Sequence, residues 1–172
     1  MNVSKAIRTK RAVRDFRNEP LSEEEMRAIL NAGRRAQSSK NRQAWRFIAI
    51  RDRATLKKVA KMGMFAGHLA GAAIGVLILT PPPEKFYGAL FDAGQAAAYM
   101  QLAAWELGIA SCLATLHKPE KAYELLGIPD EWHVLMALSF GYPANSQGLH
   151  FRPLRGGRKD LDEIVNWERF KK

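Results

Sequence analysis

Cysteine and long apolar runs are scarce in this sequence. Cys112 is the single cysteine among 172 residues, which excludes an internal disulfide and a cysteine-based metal cluster and fits a reducing cytoplasm. Residues 1–14 contain no apolar stretch of the kind found in a secretory signal. The longest apolar run, residues 69–79, is too short to span a bilayer and ends just before three prolines. These features predict a cytoplasmic protein that is not inserted in a membrane.

Motifs that mark common catalytic sites are missing as well. The sequence has no Walker loop, no GxGxxG after a predicted strand and no GxSxG. No pair of carboxylates stands out, and the apolar surroundings of Cys112 favour a small core residue over a nucleophile. No metal site is predicted, because the four histidines lack ligand spacing and are expected to be structural or exposed: His68, His117, His133 and His150.

Acidic residues are scarce in the first third of the chain. The whole sequence has 27 Lys and Arg against 17 Asp and Glu, a formal net charge of +10. Residues 1–61 hold 17 basic and 6 acidic residues, a net +11, whereas residues 62–172 hold 10 and 11, a net −1. Such an excess is typical of proteins that bind nucleic acid, a membrane surface or a phosphorylated ligand. It is equally compatible with a solvated basic face.

The order of predicted elements indicates one domain over residues 1–172 that mixes helices and strands. A capping box formed by Ser22 and Glu25 starts a helix over residues 22–36, and Asp52 caps a shorter helix. Strands are predicted at residues 45–51, 75–80, 111–115 and 133–140. A further helix is predicted at residues 119–126, and a helical or extended tail at residues 160–167. This alternation leaves α/β and α+β architectures open.

The predicted helix over residues 89–107 has apolar side chains almost all round and stops at Gly108 in the C′ position. A helix without a polar face is buried on all sides. In a domain this small, we expect a sheet to cover one side of the helix and a second subunit the other. The alternative is a hydrophobic core helix within a single chain.

Two polar clusters in the basic third are candidates for ligand binding. Residues 10–16, KRAVRDF, contain guanidinium groups, which hold phosphate through paired hydrogen bonds. If this segment is extended, Lys10, Ala12 and Arg14 lie on the same side. Residues 38–43, SSKNRQ, follow the first long helix and offer small polar groups that can donate to a polar heterocycle. Taken alone, each cluster is also compatible with an ordinary surface segment.

Five segments, taken in order, resemble the flavin-dependent nitroreductase family, which opens with an R-R-S-x-R-x-F-like segment after a short helix. KRAVRDF stands in that place here, and QSSKNRQAW at residues 37–45 is similar to the family's P-[ST]-x-x-N-x-Q-P-W-like loop. A G-L-G-S-C-like turn, an L-G-I-P helix end and a G-Y-P strand end follow at residues 108–112, 126–129 and 141–143. Arg158 precedes the closing segment, so the resemblance covers nearly the whole chain.

Three positions depart from the family pattern. Ala12 stands in place of serine, which removes one hydroxyl donor to phosphate. Gln37 and Ala44 stand in place of prolines. The chain is also short for the family, so the insert that often covers the active site is expected to be reduced. These departures bear on substrate specificity more than on flavin binding.

The resemblance implies a fold, a cofactor and an assembly. The fold is α+β, an α/β three-layer arrangement with a central, mostly antiparallel sheet flanked by helices and a buried central helix at a dimer interface. Family members are homodimers with one FMN per active site, built from both chains. The apolar helix over residues 89–107, interpreted independently, agrees with that assembly.

The resemblance also implies groups of cofactor-binding residues. The FMN phosphate would be met by basic side chains of two segments, next to Ala12: Lys10, Arg11, Arg155 and Arg158. The pyrimidine end of the ring would face Arg14, whose positive charge would raise the reduction potential. The partner subunit's loop would contact the ring or ribityl chain: Gln37, Ser38, Ser39 and Asn41. A backbone amide beside the ring would donate to N5: Leu113, Ala114 and Thr115.

The implied reaction is a ping-pong oxidoreduction. NAD(P)H delivers hydride to the flavin and leaves, and a nitroaromatic, quinone or related small molecule then takes two electrons at the same face. The flavin carries this chemistry, so no catalytic side chain is expected.

Other functions stay open at this point. A flavin-cleaving or dehalogenating enzyme of the same fold is one alternative, because fold alone does not determine the reaction. A flavin-storage or sensor protein without turnover is another. A basic nucleic-acid-binding protein is a third, but the sequence has no helix-turn-helix, zinc finger or RNP-type motif to support it.

Overall fold

Ten helices and strands lie in the described part of the chain, residues 1–145 and 157–170 of a computed structural model. In chain order they are α1 Val3–Thr9, α2 Glu23–Arg34, β1 Arg46–Ile50, α3 Arg53–Val59, β2 Ile74–Thr80, α4 Gly88–Glu106, β3 Ala110–Thr115, α5 Pro119–Leu126, β4 His133–Gly141 and α6 Leu161–Ile164. Short 3₁₀ segments occur at Ser39–Asn41 and Gly67–Gly71. The predicted helices and strands are confirmed, with ends that differ by at most two residues except in the tail, where α6 is a single turn.

Local capping explains where α2 begins and α4 ends. The Ser22 hydroxyl accepts a hydrogen bond from the Glu25 amide at 3.2 Å, and the Glu25 carboxylate accepts one from the Ser22 amide at 2.7 Å. This is the predicted capping box, which satisfies two amides that the first helical turn leaves free. Beyond α4, Gly108 takes φ +76°, the left-handed conformation that glycine adopts without a steric penalty.

The four strands form one antiparallel sheet in the order β1-β2-β4-β3. Strands β1 and β3 are therefore its edges. The amino-terminal segment lies beside β3, where Ala12 forms a parallel bridge with Ser111. The Val13 amide donates to the Ser111 carbonyl at 3.1 Å. The predicted basic segment is thus extended and lies along one edge of the sheet.

Each face of the sheet carries a separate hydrophobic layer. Strand β2 is buried on both faces, and successive side chains point in opposite directions, as the strand period requires. Ile74, Val76 and Ile78 pack with α2 and α4, whereas Leu77 and Leu79 pack with α3, α5 and the Gly67–Gly71 segment. The three-layer α+β prediction with an antiparallel sheet is confirmed.

Helices α2 and α4 pack closely because a glycine lies at their contact. A Cβ atom placed on Gly33 would come within 2.1 Å of the terminal methyl carbon of Met100, which is fully buried. A side chain at this position would force Met100 out of its place in the core. The glycine therefore determines how closely α4 approaches the sheet-facing side of α2.

Helix α4 is not buried on all sides within one chain. Its inner stripe includes Ala96, Met100 and Ala104, all at 0% exposure. The outer stripe is apolar but exposed, with Phe91 76% and Tyr99 40% accessible. The helix therefore lacks a polar face, as predicted, while its outer apolar stripe has no cover from its own chain in the described residues.

A short contact joins the start of α2 to the end of β4. The Tyr142 hydroxyl donates to Glu25 at 2.5 Å. This hydrogen bond lowers the pKa of Glu25 and, in return, raises the pKa of Tyr142 to about 12. Because the contact joins residues far apart in sequence, it holds the beginning of α2 on the sheet.

We expect Glu25→Gln to destabilise the fold by about 1 kcal/mol at pH 7, since it weakens a capping box and removes a charge-assisted hydrogen bond. A carboxyl group whose folded pKa is lowered stabilises the protein above its unfolded pKa of about 4.3 and loses that effect as pH falls through the folded value. Urea unfolding from pH 7 to pH 3 should therefore bring the wild type and the variant together at low pH. Glu24→Gln, an exposed charge in the same turn, should show little difference, and a constant gap at all pH values would contradict the assignment.

Candidate functional site

Lys10 is a half-buried cation at the sheet edge formed by β3. Burial lowers the pKa of its ammonium group, and the nearby Cys112 thiol acts weakly in the other direction. No ion pair joins Lys10 to an acidic side chain in the described residues. Taking an ammonium group out of water without a partner is unfavourable, so this position suits an anionic ligand.

Arg11 and Arg14 follow Lys10 on the same segment, and both are exposed. Arg11 turns back on its own backbone, where its guanidinium donates to the carbonyls of Arg8 and Lys10, each at 3.0 Å. Arg14 lines a cavity of about 670 Å³. Ala12 is exposed between them and is held by its bridge to Ser111.

The cavity beside Arg14 also contains a buried histidine. His68 lines it together with Phe65 and two glycines of the 3₁₀ segment, Gly67 and Gly71. The imidazole is 8% exposed and its Nδ1 lies 2.8 Å from the Ser139 hydroxyl. Its Nε2 atom is buried and has no hydrogen-bond partner in the described residues. The cavity is therefore lined by a cation and by a histidine whose second ring nitrogen is buried and unpaired in the described residues.

The polar loop over residues 38–43 is held in an unusual backbone conformation. Lys40, Asn41 and Gln43 have φ of 51°, 52° and 48°, which non-glycine residues rarely adopt. The Gln43 amide donates to the Ser38 hydroxyl at 2.9 Å, and its side-chain amide donates to Asn41 at 3.1 Å. Since the Ser38 oxygen accepts, its hydroxyl proton is available to another acceptor.

Asp92 of α4 anchors this loop. Its carboxylate accepts a hydrogen bond from the Ser39 amide at 3.0 Å, and the side chain is only 4% exposed. Gln37, Ser39 and Asn41 remain exposed around that anchor. The loop is thus attached to the same helix whose outer apolar stripe is uncovered.

The free edge of β3 carries the third predicted group. Because the Ser111 carbonyl bonds outward to Val13, the two-residue alternation of an antiparallel pair also directs the Leu113 backbone outward. The Leu113 side chain is 40% exposed, whereas Ala114 is buried in the core. Thr115 is half-buried, and its carbonyl packs against Gly63. Leu113 therefore offers the most accessible backbone amide of the three.

The predicted clusters lie at opposite ends of α4 within one chain. Ser39 is bonded to Asp92 near the start of the helix, while Thr9, next to Lys10, accepts a hydrogen bond from Trp105 near its end. Asp92 and Trp105 are 13 residues apart, or about 20 Å along the helix axis. One chain therefore brings Lys10, Arg14 and Leu113 together but keeps the loop away from them.

The two carboxy-terminal arginines are not joined to these clusters by any described contact. Arg158 is exposed in the coil before α6, and among residues 1–145 and 157–170 no hydrogen bond or ion pair connects it to Lys10 or Arg11. Arg155 lies outside the described residues. Their assignment to the phosphate stays a prediction, as do the other site assignments.

Sequence reasoning missed two residues of this region. Asp92 had a usable signal, because a single carboxylate in an otherwise apolar helix needs a hydrogen-bond donor near it. His68 had none, since its partner Ser139 is 71 residues away and only the fold joins them. In the described part of the chain, no group of three or more His, Cys, Asp or Glu is arranged to hold a metal ion, and no helix is long and apolar enough to cross a bilayer.

Comparison with known proteins identifies the family. The sequence profile of the Nitroreductase family matches residues 7–67 and 63–142, which include the segment beside β3, the loop and α4. The chain belongs to the Nitroreductase family. The resemblance recognised from the five segments is thereby confirmed.

Two relatives support the same family. A protein of Archaeoglobus fulgidus named as an NADH dehydrogenase/NAD(P)H nitroreductase is 32% identical over 153 residues, covering 85% of this chain and 88% of the relative. A Bacillus subtilis protein named FMN reductase (NADPH) is 27% identical over 171 residues, covering 86% of this chain and 68% of the relative.

Solved structures share the fold. An FMN-dependent nitroreductase from Clostridium difficile superposes with a TM-score of 0.83 at 24% identity, covering 98% of this chain and all of that one. A nitroreductase from B. subtilis reaches 0.88 at 20% identity and covers 99% of this chain and 75% of that one. The three-layer fold, with its antiparallel sheet, is therefore the nitroreductase fold.

Proposed function

We propose that this protein is an FMN-dependent oxidoreductase that uses NAD(P)H to reduce nitroaromatic, quinone or related small-molecule acceptors by a two-electron ping-pong mechanism. FMN and NAD(P)H are the molecules that appear in the names of its relatives. The observation that carries the proposal in this chain is the half-buried Lys10 ammonium without an anionic partner in the described residues.

The residues at the edge of β3 fit a flavin phosphate and ring. Lys10 lacks an anion, and Arg11 is exposed, with a guanidinium that can leave its backbone carbonyls for a phosphate. The exposed Arg14 fits a polar heterocycle at the adjoining cavity, which His68 also lines. In this assignment Lys10 and Arg11 hold the phosphate, helped by Arg155 and Arg158 as the family resemblance implies.

Bound FMN supplies the hydride chemistry, so the side chains have binding and electrostatic roles. Arg14 places a positive charge where the pyrimidine end of the ring would lie, which favours the charge that the ring carries after reduction. The outward backbone amide of Leu113 would donate to N5 of the bound ring and orient it. Ala114 and Thr115 hold this edge of β3 against the core.

A homodimer completes the site in this proposal. The outer stripe of α4 is apolar and exposed, and a self-complementary two-fold contact would cover it on both chains. If the two copies of α4 cross antiparallel, the start of one helix approaches the end of the other. The loop of one chain, with Gln37, Ser38, Ser39 and Asn41, then meets the basic segment of its partner.

Purified protein tests this proposal directly. We expect a yellow preparation whose chromophore has the mass of FMN, and anaerobic oxidation of NADH or NADPH that continues only when a nitroaromatic or quinone is added. Initial rates should give parallel double-reciprocal lines, the signature of a ping-pong mechanism.

Other outcomes point to the alternative functions. Flavin without NAD(P)H oxidation indicates storage or sensing. Reduced flavin that is consumed with oxygen, or that dehalogenates halogenated tyrosine, indicates a flavin-cleaving or dehalogenating enzyme. A colourless protein that takes up no FMN and binds DNA with a steep salt dependence indicates a nucleic-acid binder.

We expect Asp92→Ala to weaken FMN binding about tenfold, because it removes the charge-assisted hydrogen bond that holds the loop. Asp92→Asn keeps an oxygen that can accept from the Ser39 amide and should retain most of the affinity. The dissociation constant is measured by quenching of FMN fluorescence. Equal affinities in wild type and Asp92→Ala would contradict a role of the loop in flavin binding.

A further inference from the structure

A chain of hydrogen bonds joins His68 to Ser139 and to the Cys112 carbonyl. The Ser139 hydroxyl lies 3.4 Å from the Cys112 carbonyl, and since a carbonyl only accepts, the hydroxyl proton points there. The Ser139 oxygen is then an acceptor for His68 Nδ1 at 2.8 Å. When the Ser139 proton lies on the Cys112 carbonyl, the neutral ring carries its proton on Nδ1 and an unshared electron pair on Nε2.

The surroundings keep this ring neutral. Burial lowers the pKa of His68 most, and the positive charge of Arg14 lowers it further, while an interaction with the Leu113 backbone acts the other way. Asp15 lines the same cavity from the amino-terminal segment, and Cys112 contributes a carbonyl from β3. Strand β4 contributes the uncharged Ser139, and His68 is the one titratable residue in Gly67–Gly71. Arg14 is thus the nearby charge acting against protonation among the described residues.

We propose that His68 is a redox-linked proton site, which takes up a proton on Nε2 when a flavin bound beside Arg14 is reduced and releases it on reoxidation. This inference rests on the proposed function. Hydride from NAD(P)H brings two electrons and one proton into the site, which adds one negative charge to it. One further proton from water on Nε2 restores the balance of charge, and the acceptor or solvent receives that proton when the two electrons leave.

Linkage makes this coupling measurable from both sides. If reduction strengthens proton binding at His68, protonation of His68 favours reduction by the same factor. The negative charge added by reduction would lie beside Arg14, whose positive charge otherwise opposes protonation of His68. Because the site is partly shielded from water, the attraction between the added charge and the His68 proton is stronger than in bulk solvent. We expect the affinity of His68 for its proton to rise tenfold or more on reduction.

Potentiometry of the flavin-loaded protein between pH 5 and pH 9 tests the proposal. His68 has one pKa when the flavin is oxidised and a higher one when it is reduced. Between these two pH values, the wild type should take up one more proton per two electrons than His68→Gln does. Glutamine can still donate to Ser139 but does not titrate. His133→Gln, at the opposite end of β4, should behave like wild type.

A second measurement does not depend on any variant. Imidazole NMR of the flavin-loaded wild type should report a His68 ring protonated only on Nδ1 at pH 7 when oxidised, and a higher pKa when reduced by NADH under argon. The same pKa in both states, or the same proton uptake in wild type and His68→Gln, would overturn the inference while leaving FMN-dependent turnover intact. Protein that takes up no flavin would overturn both the inference and the proposed function.

Discussion

Replacing both Lys10 and Arg11 by alanine is expected to leave a folded protein that no longer retains FMN. Each side chain is assigned a charge-assisted contact with the phosphate, of about 1.5–3 kcal/mol. Loss of both should weaken FMN binding by at least about a hundredfold. Fluorescence titration gives the dissociation constant, and turnover with a nitroaromatic should fall with flavin occupancy.

A matched charge change separates this effect from net charge. Lys57→Ala with Lys58→Ala removes two cations as well, both exposed on α3, an element separate from the basic segment. We expect this control to keep wild-type affinity. If the two double variants bind FMN equally well, the phosphate does not lie at Lys10 and Arg11, and the +11 of residues 1–61 serves something else.

Ala98→Glu is expected to separate the proposed dimer and to release the flavin at the same time. Ala98 is exposed in the outer stripe of α4, between Phe91 and the end of the helix. A carboxylate there would be buried without a partner in each copy, which costs several kcal/mol and should raise the dimer dissociation constant at least about a hundredfold. Because the loop of the partner subunit completes the site in the proposed dimer, FMN should dissociate as that dimer does.

Sedimentation velocity at several protein concentrations, with detection at the flavin absorbance, follows both events. Ala54→Glu introduces the same side chain at an exposed position of α3, on the other layer of the fold, and should leave the dimer and its flavin unchanged. A monomeric Ala98→Glu protein that still binds FMN at wild-type affinity would mean that each site is built within one chain.

Local sequence predicted the elements because local chemistry decides them. The capping box of Ser22 and Glu25, the cap at Asp52 and the glycine at 108 all act within one helical turn, and the structure has each of them. The all-apolar character of β2 is visible in the sequence for the same reason, since a strand covered on both faces has no polar side.

The candidate site was predictable in its types of residue but not in its arrangement. A basic segment and a polar loop are visible in the sequence, and the family resemblance connects them. Their separation along α4 and the anchor at Asp92 depend on contacts over 53 residues or more. Neither can be obtained from periodicity, which describes only one element at a time.

The sequence by itself determined the helices and strands, the lack of a polar face on α4 and the family, because each follows from neighbouring residues or their order. Only the tertiary structure decided which side of α4 is covered and that Lys10 is half-buried without an anionic partner in the described residues. It also decided that His68 contacts Ser139 and lines the same cavity as Arg14. The reason is physical: burial and pairing depend on which distant segments the sheet brings together, and those pairings set the electrostatics of the site.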